Sequence, residues 1–314
     1  MSVRKDILDF SANFNPYPPS VDWYPNTAHI GEYPDDTYTI LKERIARTFN
    51  RNPEEICVGN GSVELIRAFS LAALTPGDRY LIDHPSFGEY AVGAQLAGAR
   101  ETTEIREAAV RYLCNPNNPT GRLFSSDEIY ACLEEARAAD TLLFVDEAFI
   151  EMVLGGSSCV GWNDDHLFIL RSLTKSFTVP GLRFGYGFGD PDLISRIEIA
   201  RSPWTVNVFA EQFAIRAFEV YDQLEESRRL IARDRGRLLK QLDAIGLLWE
   251  PPSANFILVH LPVPARPLAE QLVHRHGILV RDCTSFGLPF SIRIAVRRPE
   301  ENDRCIEAIE ACLP

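Results

Sequence analysis

Long apolar runs are missing from this sequence of 314 residues, and none approaches the roughly 20 residues that a membrane-spanning helix needs. The first residues, Met1 to Asp6, open no apolar stretch of the kind that begins a secretion signal. Basic charge is scarce as well, because the net charge is -12 and no basic stripe occurs. We therefore expect a cytoplasmic protein without a membrane segment, and an acidic chain of this kind is a poor partner for nucleic acid.

Paired metal-binding or disulfide motifs are also lacking. The seven cysteines are scattered and form no Cys-x-x-Cys pair, which favours buried reduced thiols. His274 and His276 lie two residues apart in a helical pattern, so their side chains should point to different faces. We predict no metal site.

Strands and helices are predicted to alternate over much of the chain. The predicted strands are 55–58, 79–83, 111–114, 142–146 and 167–171, and the predicted helices between them are 63–74, 87–97 and 127–138. Short, continuous apolar strands separated by helices indicate an α/β fold with a mostly parallel sheet covered on both faces. Ligands of such sheets bind at the carboxyl ends of the strands.

The pattern changes past Pro203. A long charged helical stretch is predicted from about 210 to 244, followed by strands at 254–261, 277–280 and 291–296 and by helices near 268–274 and 300–312. These elements predict a smaller α+β domain. We divide the chain into an N-terminal arm (1–30), a large domain (31–210), and a long linking helix with the small domain (211–314).

The most informative feature is a lysine at the end of an apolar strand. In Arg171-Ser172-Leu173-Thr174-Lys175, hydroxyl groups flank Lys175, and Arg183 follows eight residues later. A lone lysine is usually a solvated surface charge, but an amine among groups that hold phosphate is what an enzyme needs to bind pyridoxal 5'-phosphate covalently. Arg183 offers a planar fork that matches phosphate geometry.

Other strand ends carry residues that suit this cofactor. Gly59-Asn60-Gly61-Ser62 lies between a strand and a helix, where free N–H groups favour a phosphate, although most such turns are only turns. Phe87 follows the next strand and can stack on a planar ring, although an aromatic at a helix start is more often core. Residues 115–121, Asn-Pro-Asn-Asn-Pro-Thr-Gly, form a stiff loop that suits holding one amide, that of Asn118.

Asp146 ends the apolar strand 142–146 and needs a partner. A protonated pyridine nitrogen is a good one, because the pair keeps the ring cationic and able to accept electrons. Capping of the next segment is the alternative, and it suits Glu147 better than Asp146. Near the C-terminus, Arg281 and Arg293 lie within apolar strands, where they need anionic partners. These partners are either structural carboxylates or the anionic groups of a substrate.

Taken together and in this order, these motifs resemble the fold-type I pyridoxal-phosphate enzymes of the class I/II aminotransferase group, over nearly the whole chain from Asp9 to Arg297. The resemblance implies that Lys175 binds the cofactor covalently and that Asp146 partners its ring nitrogen. It also implies that Asn118 donates to the phenolic oxygen and that Phe87 stacks on the ring. The cofactor's phosphate is then expected among Gly61, Ser62, Val63, Ser172, Thr174 and Arg183.

The resemblance also implies a homodimer with shared active sites. Tyr33, in Glu32-Tyr33-Pro34-Asp35, is similar to the tyrosine that reaches the cofactor's phosphate in the neighbouring subunit. Arg293 is similar to the arginine that binds the substrate's α-carboxylate. The expected partners are a phosphorylated amino-acid substrate and a second copy of the chain.

Two subfamilies compete within the group. Histidinol-phosphate aminotransferases share most of the motifs, whereas threonine-phosphate decarboxylases, which make the aminopropanol phosphate of cobalamin, share more. The added likeness lies in residues 9–16, in Phe149 where aminotransferases usually carry tyrosine, and in residues 171–175, 203–207 and 279–283. By this likeness Asn13 and Arg293 hold the amino-acid end of the substrate, and Arg281 holds its phosphate. We also expect Asn118 to contact the substrate. The expected reaction is decarboxylation of O-phospho-L-threonine or a close relative.

Two departures concern the substrate's phosphate. Those decarboxylases usually begin with a His-Gly pair that helps to bind it, and this sequence contains no such pair in its first residues. The stretch from Gly98 to Leu113 is also short. The first alternative function is a histidinol-phosphate aminotransferase that uses 2-oxoglutarate, and the second is a non-enzymatic cofactor-binding scaffold, against which the complete set Lys175, Asp146, Asn118 and Arg183 argues.

Overall fold

A computed structural model describes residues 7–314. Its strands are β1 (Leu8–Asp9), β2 (Ile56–Gly59), β3 (Arg79–Ile82), β4 (Arg100–Glu101), β5 (Val110–Cys114), β6 (Leu142–Asp146), β7 (Leu167–Ser172), β8 (Gly185–Phe188), β9 (Leu248–Trp249), β10 (Phe256–His260), β11 (Ile278–Leu279), β12 (Arg281–Asp282) and β13 (Ser291–Ala295). Its α-helices are α1 (Thr39–Phe49), α2 (Ser62–Ala73), α3 (Glu89–Leu96), α4 (Ser126–Ala138), α5 (Leu173–Ser176), α6 (Pro191–Ala200), α7 (Val208–Ala217), α8 (Leu224–Ala244), α9 (Ala265–Gln271) and α10 (Pro299–Cys312).

The large sheet has seven strands in the order β2-β8-β7-β6-β5-β3-β4. Strand β8 runs antiparallel to β2 and β7, and the other neighbours are parallel. The predicted α/β fold with a mostly parallel sheet is therefore confirmed. The register places Cys114, Asp146 and Leu170 side by side, so the carboxyl ends of β5, β6 and β7 meet at one edge of the sheet.

Two hydrophobic layers cover this sheet. Successive residues of a strand point to opposite faces, and accordingly Val145 packs in one layer while Phe144 packs in the other. The first layer contains residues of α1, α4 and α7, and the second contains residues of α2, α3 and α6. The strands are buried on both sides, which explains why their sequences read as continuous apolar runs.

The C-terminal part forms an antiparallel sheet in the order β12-β13-β10-β9. The N-terminal segment joins this part of the molecule, because β1 pairs in parallel with β11 and Phe10 is fully buried in the same core. Helix α8 connects the two regions: Leu224 packs in a core of the large sheet, whereas Leu238 and Leu242 pack in the C-terminal core.

The structure interrupts the helical stretch predicted from about 210 to 244. A 3-10 turn, Phe218–Gln223, separates α7 from α8, and Val220 has non-helical angles within it. The break allows Phe218 and Tyr221 to contact the same ring, that of Phe49, with centroid distances of 6.2 and 5.2 Å. The packing of the buried Phe218 and the partly buried Tyr221 against Phe49 favours the break.

Within residues 7–314, no helix combines the length and the apolar character required to cross a membrane. The stretch from Gly98 to Leu113 contains the short strand β4, one 3-10 turn (Ile105–Glu107) and most of β5. It leads directly to Cys114 and to the loop that carries Asn118. The seven cysteines carry free thiols, and five of them are buried.

Candidate active site

A cavity of about 630 Å³ opens at the carboxyl ends of β5, β6 and β7. Strands β12 and β13 and the N-terminal segment close its other side. Most of the residues that the sequence singled out line it, namely Asn13, Ser62, Val63, Phe87, Asn118, Asp146, Ser172, Thr174, Lys175, Arg183, Arg281 and Arg293. Tyr33 and Gly61 do not line it.

Lys175 lies in the short helix α5, directly after β7. Its Nζ is 4.7 Å from the centroid of the Phe14 ring. Burial, together with the nearby Arg293 and Arg183 guanidiniums, lowers the pKa of Lys175 to about 8. A sizeable fraction of this amine is therefore neutral near physiological pH, as a nucleophile requires.

Asp146 is the last residue of β6 and is 5% exposed. Its Oδ2 accepts a hydrogen bond from the Tyr90 hydroxyl at 2.7 Å, and its Oδ1 accepts one from the Ala148 N–H at 2.8 Å. Burial raises the pKa of Asp146 to about 6. Among the described residues no cation lies within ion-pair distance of this carboxyl group. A positively charged ligand group in the cavity would satisfy it.

Arg293, in the middle of β13, is 7% exposed. It donates to Asn118 Oδ1 and, at 2.8 Å, to the Ser11 carbonyl. Asn13, with its side-chain oxygen turned toward the guanidinium, accepts from Nε and Nη1 at 3.2 Å. All of these partners are neutral, and burial lowers the pKa of Arg293 to about 10, so it stays charged at neutral pH.

Arg281 lies directly opposite Arg293 in the antiparallel pairing of β12 and β13. It is exposed, donates to the Ser285 hydroxyl at 2.7 Å, and lies 5.4 Å from the centroid of the Phe286 ring. Like charges that face each other across strands are destabilising. No carboxylate within residues 7–314 forms an ion pair with either arginine. This part of the cavity therefore favours a ligand with two anionic groups.

The start of α2 forms a second anion-favouring region. Gly61 precedes the helix with φ +80°, and a Cβ at this position would clash with the Arg183 guanidinium. On the other side, a Cβ at Gly185 would lie 2.5 Å from the Ser62 nitrogen. The two glycines therefore allow β8 and Arg183 to lie close to the N–H groups at the start of α2. A guanidinium beside free N–H groups at a helix start suits the binding of a phosphate. The Thr174 hydroxyl, by contrast, donates to the Phe184 carbonyl at 3.3 Å.

Tyr33 lies away from the cavity of its own chain. It is 80% exposed and packs on Trp204, with ring centroids 4.6 Å apart. Its predicted contact with a neighbouring subunit stays a prediction.

Several residues of the cavity were not predicted from the sequence. Tyr90 holds Asp146, and Ser11 holds Arg293 through its carbonyl. Cys114 and Ser285 also line the cavity. A helical tyrosine such as Tyr90 carries no local signal of its role. The pairing of Asp146 with Cys114 follows from strand register, which the order of strands in the sheet determines.

Comparisons with known proteins agree with this geometry. The family model for aminotransferase class I and II matches residues 5–309. Histidinol-phosphate aminotransferase from Symbiobacterium thermophilum is 33% identical over 98% of this chain and 91% of that protein. A protein of Caldanaerobacter subterraneus provisionally named threonine-phosphate decarboxylase is 34% identical over 95% of this chain and 88% of its own length.

A solved structure shows the same fold. Histidinol-phosphate aminotransferase from Clostridium acetobutylicum superposes with a TM-score of 0.87 at 30% identity, covering 97% of this chain and 98% of that one. The family model matches almost the whole of this chain. The chain therefore belongs to the class I and II aminotransferase family, whose members depend on pyridoxal 5'-phosphate.

Proposed function

We propose that this protein decarboxylates a small phosphorylated α-amino acid, O-phospho-L-threonine or a close relative, to the corresponding amine phosphate for cobalamin biosynthesis. The observation that carries the proposal is the facing pair of Arg281 and Arg293, which lacks a carboxylate partner within residues 7–314. A phosphoamino acid brings one carboxylate and one phosphate, only a few bonds apart. Phe149 adds support, because the threonine-phosphate decarboxylases also carry phenylalanine at this position, where aminotransferases usually carry tyrosine.

The residues of the cavity fit the family's cofactor. The buried Asp146 carboxyl lacks a cation among the described residues, and a pyridinium nitrogen would supply one. The glycine at position 61 leaves room for Arg183 beside the start of α2, where a phosphate would be held. Lys175 offers the amine. Bound pyridoxal 5'-phosphate would hold the substrate's amino group covalently and withdraw electrons from the bonds at its α-carbon.

The chain's own residues then direct the reaction. Arg293 and Asn13 would hold the carboxylate and thereby orient the bond to be broken, since the orientation of that bond selects the reaction. Lys175, released when the substrate's amine takes its place, would return a proton to the α-carbon after CO₂ leaves. Phe149, buried against Phe256 at 5.0 Å between ring centroids, brings no hydroxyl group to the cavity. Asn118 is then the main donor toward the cofactor's phenolic oxygen.

An aminotransferase is the second candidate, and the 33% identity with a histidinol-phosphate aminotransferase favours it. Histidinol phosphate carries a phosphate but no carboxylate, so it would engage the arginine pair through one anionic group. Glutamate, the amino donor of that reaction, carries two carboxylates and would engage both arginines.

The two candidates differ in what they consume and release. Purified enzyme loaded with cofactor would be incubated with O-phospho-L-threonine or with histidinol phosphate, each with and without 2-oxoglutarate. We expect CO₂ from O-phospho-L-threonine in the absence of any keto acid. Glutamate formation that requires 2-oxoglutarate, without CO₂ release, would replace the decarboxylase with the aminotransferase.

Substitution of the two arginines should separate their roles. We expect Arg281→Ala to raise KM for the phosphorylated substrate about tenfold and to leave KM for the unphosphorylated amino acid unchanged, as expected for an exposed charge-assisted contact of about 1.5 kcal/mol. Arg293→Lys should lower kcat/KM about 100-fold for both substrates, because lysine cannot reproduce the guanidinium's bonds to Asn118 and Ser11. Steady-state kinetics with both substrates measures the difference, and Arg275→Ala, at an exposed residue outside the cavity lining, is the control. Equal losses for Arg281→Ala with both substrates would contradict a phosphate contact.

The shared-site homodimer also leads to a prediction. Tyr33 is exposed and packs against Trp204, which is also exposed, and this aromatic surface suits a subunit contact. If Tyr33 serves the neighbouring site, a mixture of Tyr33→Ala and Lys175→Ala proteins should recover activity that neither has alone. With random pairing about half of the dimers contain one copy of each variant, and each of these mixed dimers has one intact site of its two. The mixture should therefore contain about a quarter of the active sites of the wild type. The assay would be run at limiting cofactor after joint refolding, with light scattering to measure the mass. A monomer, or no recovery on mixing, would contradict the prediction.

A further inference from the structure

The ring of Phe14 faces the reactive amine of Lys175. The Lys175 Nζ lies 4.7 Å from the centroid of its ring, within the range of a cation–π contact. The charged groups that act most strongly on this amine are Arg293, Arg183 and Asp9, and two of the three are cations. No carboxylate within residues 7–314 lies within ion-pair distance of Lys175. The ring face is therefore an electron-rich surface that a protonated Lys175 meets directly.

The backbone that follows Phe14 is held in place. The Asn15 N–H donates to the Lys175 carbonyl at 3.0 Å, and the Asn15 side chain donates to the Ser176 carbonyl at 2.8 Å. Thr178 donates to the Asn15 carbonyl at 2.7 Å. These bonds join the residue after Phe14 to the helix that carries the lysine, so the ring keeps its position relative to the amine.

A further contact joins Phe14 to the C-terminal part of the molecule. The Asn255 side chain donates to the Phe14 carbonyl at 3.2 Å. Asn255 is fully buried and directly precedes β10, the neighbour of the strand that carries Arg293. The backbone at Phe14 and Asn15 is thus bonded to both sides of the cavity.

We propose that Phe14 is a positioning residue for Lys175, which covers one side of the amine against water and directs its proton to the substrate's α-carbon. This inference rests on the proposed function. In the step concerned, an N–H bond of the Lys175 ammonium breaks, and the proton joins the electron pair left on the α-carbon when CO₂ departs. A neutral amine remains on Lys175. A proton delivered elsewhere would lead, after hydrolysis, to a carbonyl compound instead of the amine.

The first test uses the apoprotein and does not depend on turnover. The chain contains four lysines, Lys5, Lys42, Lys175 and Lys240, so their labelling with an uncharged acylating reagent can be followed separately by mass spectrometry over a range of pH. Phe14→Ala should move the Lys175 midpoint upward by about half a pH unit or more, because hydration of the ammonium outweighs the loss of the cation–π contact. Phe14→Leu, which keeps an apolar cover, should leave the midpoint near or below its wild-type value.

Lys42, which is largely buried and ion-paired with Glu198, reports whether each variant is folded, and the exposed Lys240 is the reference for unprotected labelling. Phe290→Ala, at an exposed phenylalanine, is the matched control. The second test measures carbonyl by-product against amine product in the loaded enzyme. We expect the ratio to rise about tenfold in Phe14→Ala and to change little in Phe14→Leu, in keeping with the usual size of proton-transfer effects. An unchanged Lys175 midpoint, or a shifted midpoint with an unchanged product ratio, would overturn the proposal. Absence of any decarboxylation would instead overturn the proposed function, while the labelling midpoint would still report on Phe14.

Discussion

Replacement of Lys175 by alanine is expected to reduce kcat by about 10⁴-fold or more, because in the proposed reaction this side chain would provide both the covalent attachment and the returned proton. The lowered pKa of Lys175, about 8, places the amine where it can serve both roles near neutral pH. Single-turnover assays with O-phospho-L-threonine measure the loss. An added small primary amine should restore part of the rate, since it can carry the proton but cannot restore the attachment.

Lys240→Ala is the matched control, since Lys240 is exposed on α8 and far from the cavity lining. This variant should keep wild-type activity. Full turnover by Lys175→Ala would contradict every enzymatic interpretation of this cavity.

The second large effect concerns Asp146. We expect Asp146→Asn to lower kcat about 100- to 1,000-fold in the loaded enzyme, comparable to the roughly 3–5 kcal/mol cost of breaking a buried charge pair. The asparagine keeps the shape and the Ala148 contact but cannot hold a positive ring nitrogen. The absorbance of the bound cofactor should report the loss of that protonation.

The same substitution should have the opposite effect on the stability of the apoprotein. Burial raises the pKa of Asp146 from 3.8 to about 6 in the folded chain, so the folded state binds this proton more tightly than the unfolded state does. The tighter binding of this proton stabilises the folded chain fully below pH about 4, and that stabilisation is lost as the pH rises through about 6.

At pH 8, therefore, Asp146→Asn apoprotein should be more stable than the wild type by on the order of 2 kcal/mol, and the difference should vanish near pH 4. Urea unfolding at both pH values measures it. A variant that is less stable at pH 8 would indicate that Asp146 has a structural partner and is not held for a ligand. Glu128→Gln, which removes an exposed carboxylate of the α4 capping box, should show no gain at pH 8.

Much of the site could be predicted from the sequence because its residues stand at the ends of short apolar strands. Asp146 ends β6, Lys175 follows β7, and the Asn118 loop follows β5. Once the strands are recognised as parallel neighbours, these side chains must meet at one edge of the sheet. The register that pairs Cys114, Asp146 and Leu170 confirms the arrangement.

Other features depend on contacts between distant parts of the chain. Strand β8 was not predicted, because its glycines lower strand propensity. Yet Gly185 is needed there, since a Cβ would lie 2.5 Å from the Ser62 nitrogen. The helix break at Val220 arises from aromatic packing with Phe49, which no local pattern reveals. The contacts of Tyr90 with Asp146 and of Phe14 with Lys175 likewise join residues far apart in sequence.

The most direct measurement locates the covalent bond to the cofactor. Purified protein would be mixed with pyridoxal 5'-phosphate, treated with borohydride to make any lysine linkage permanent, digested, and mapped by mass spectrometry. With four lysines in the chain the assignment is unambiguous. We predict a coloured protein that carries one cofactor per chain, on Lys175. A protein that stays colourless, or that carries the label on Lys42 or Lys240 instead, would contradict the account.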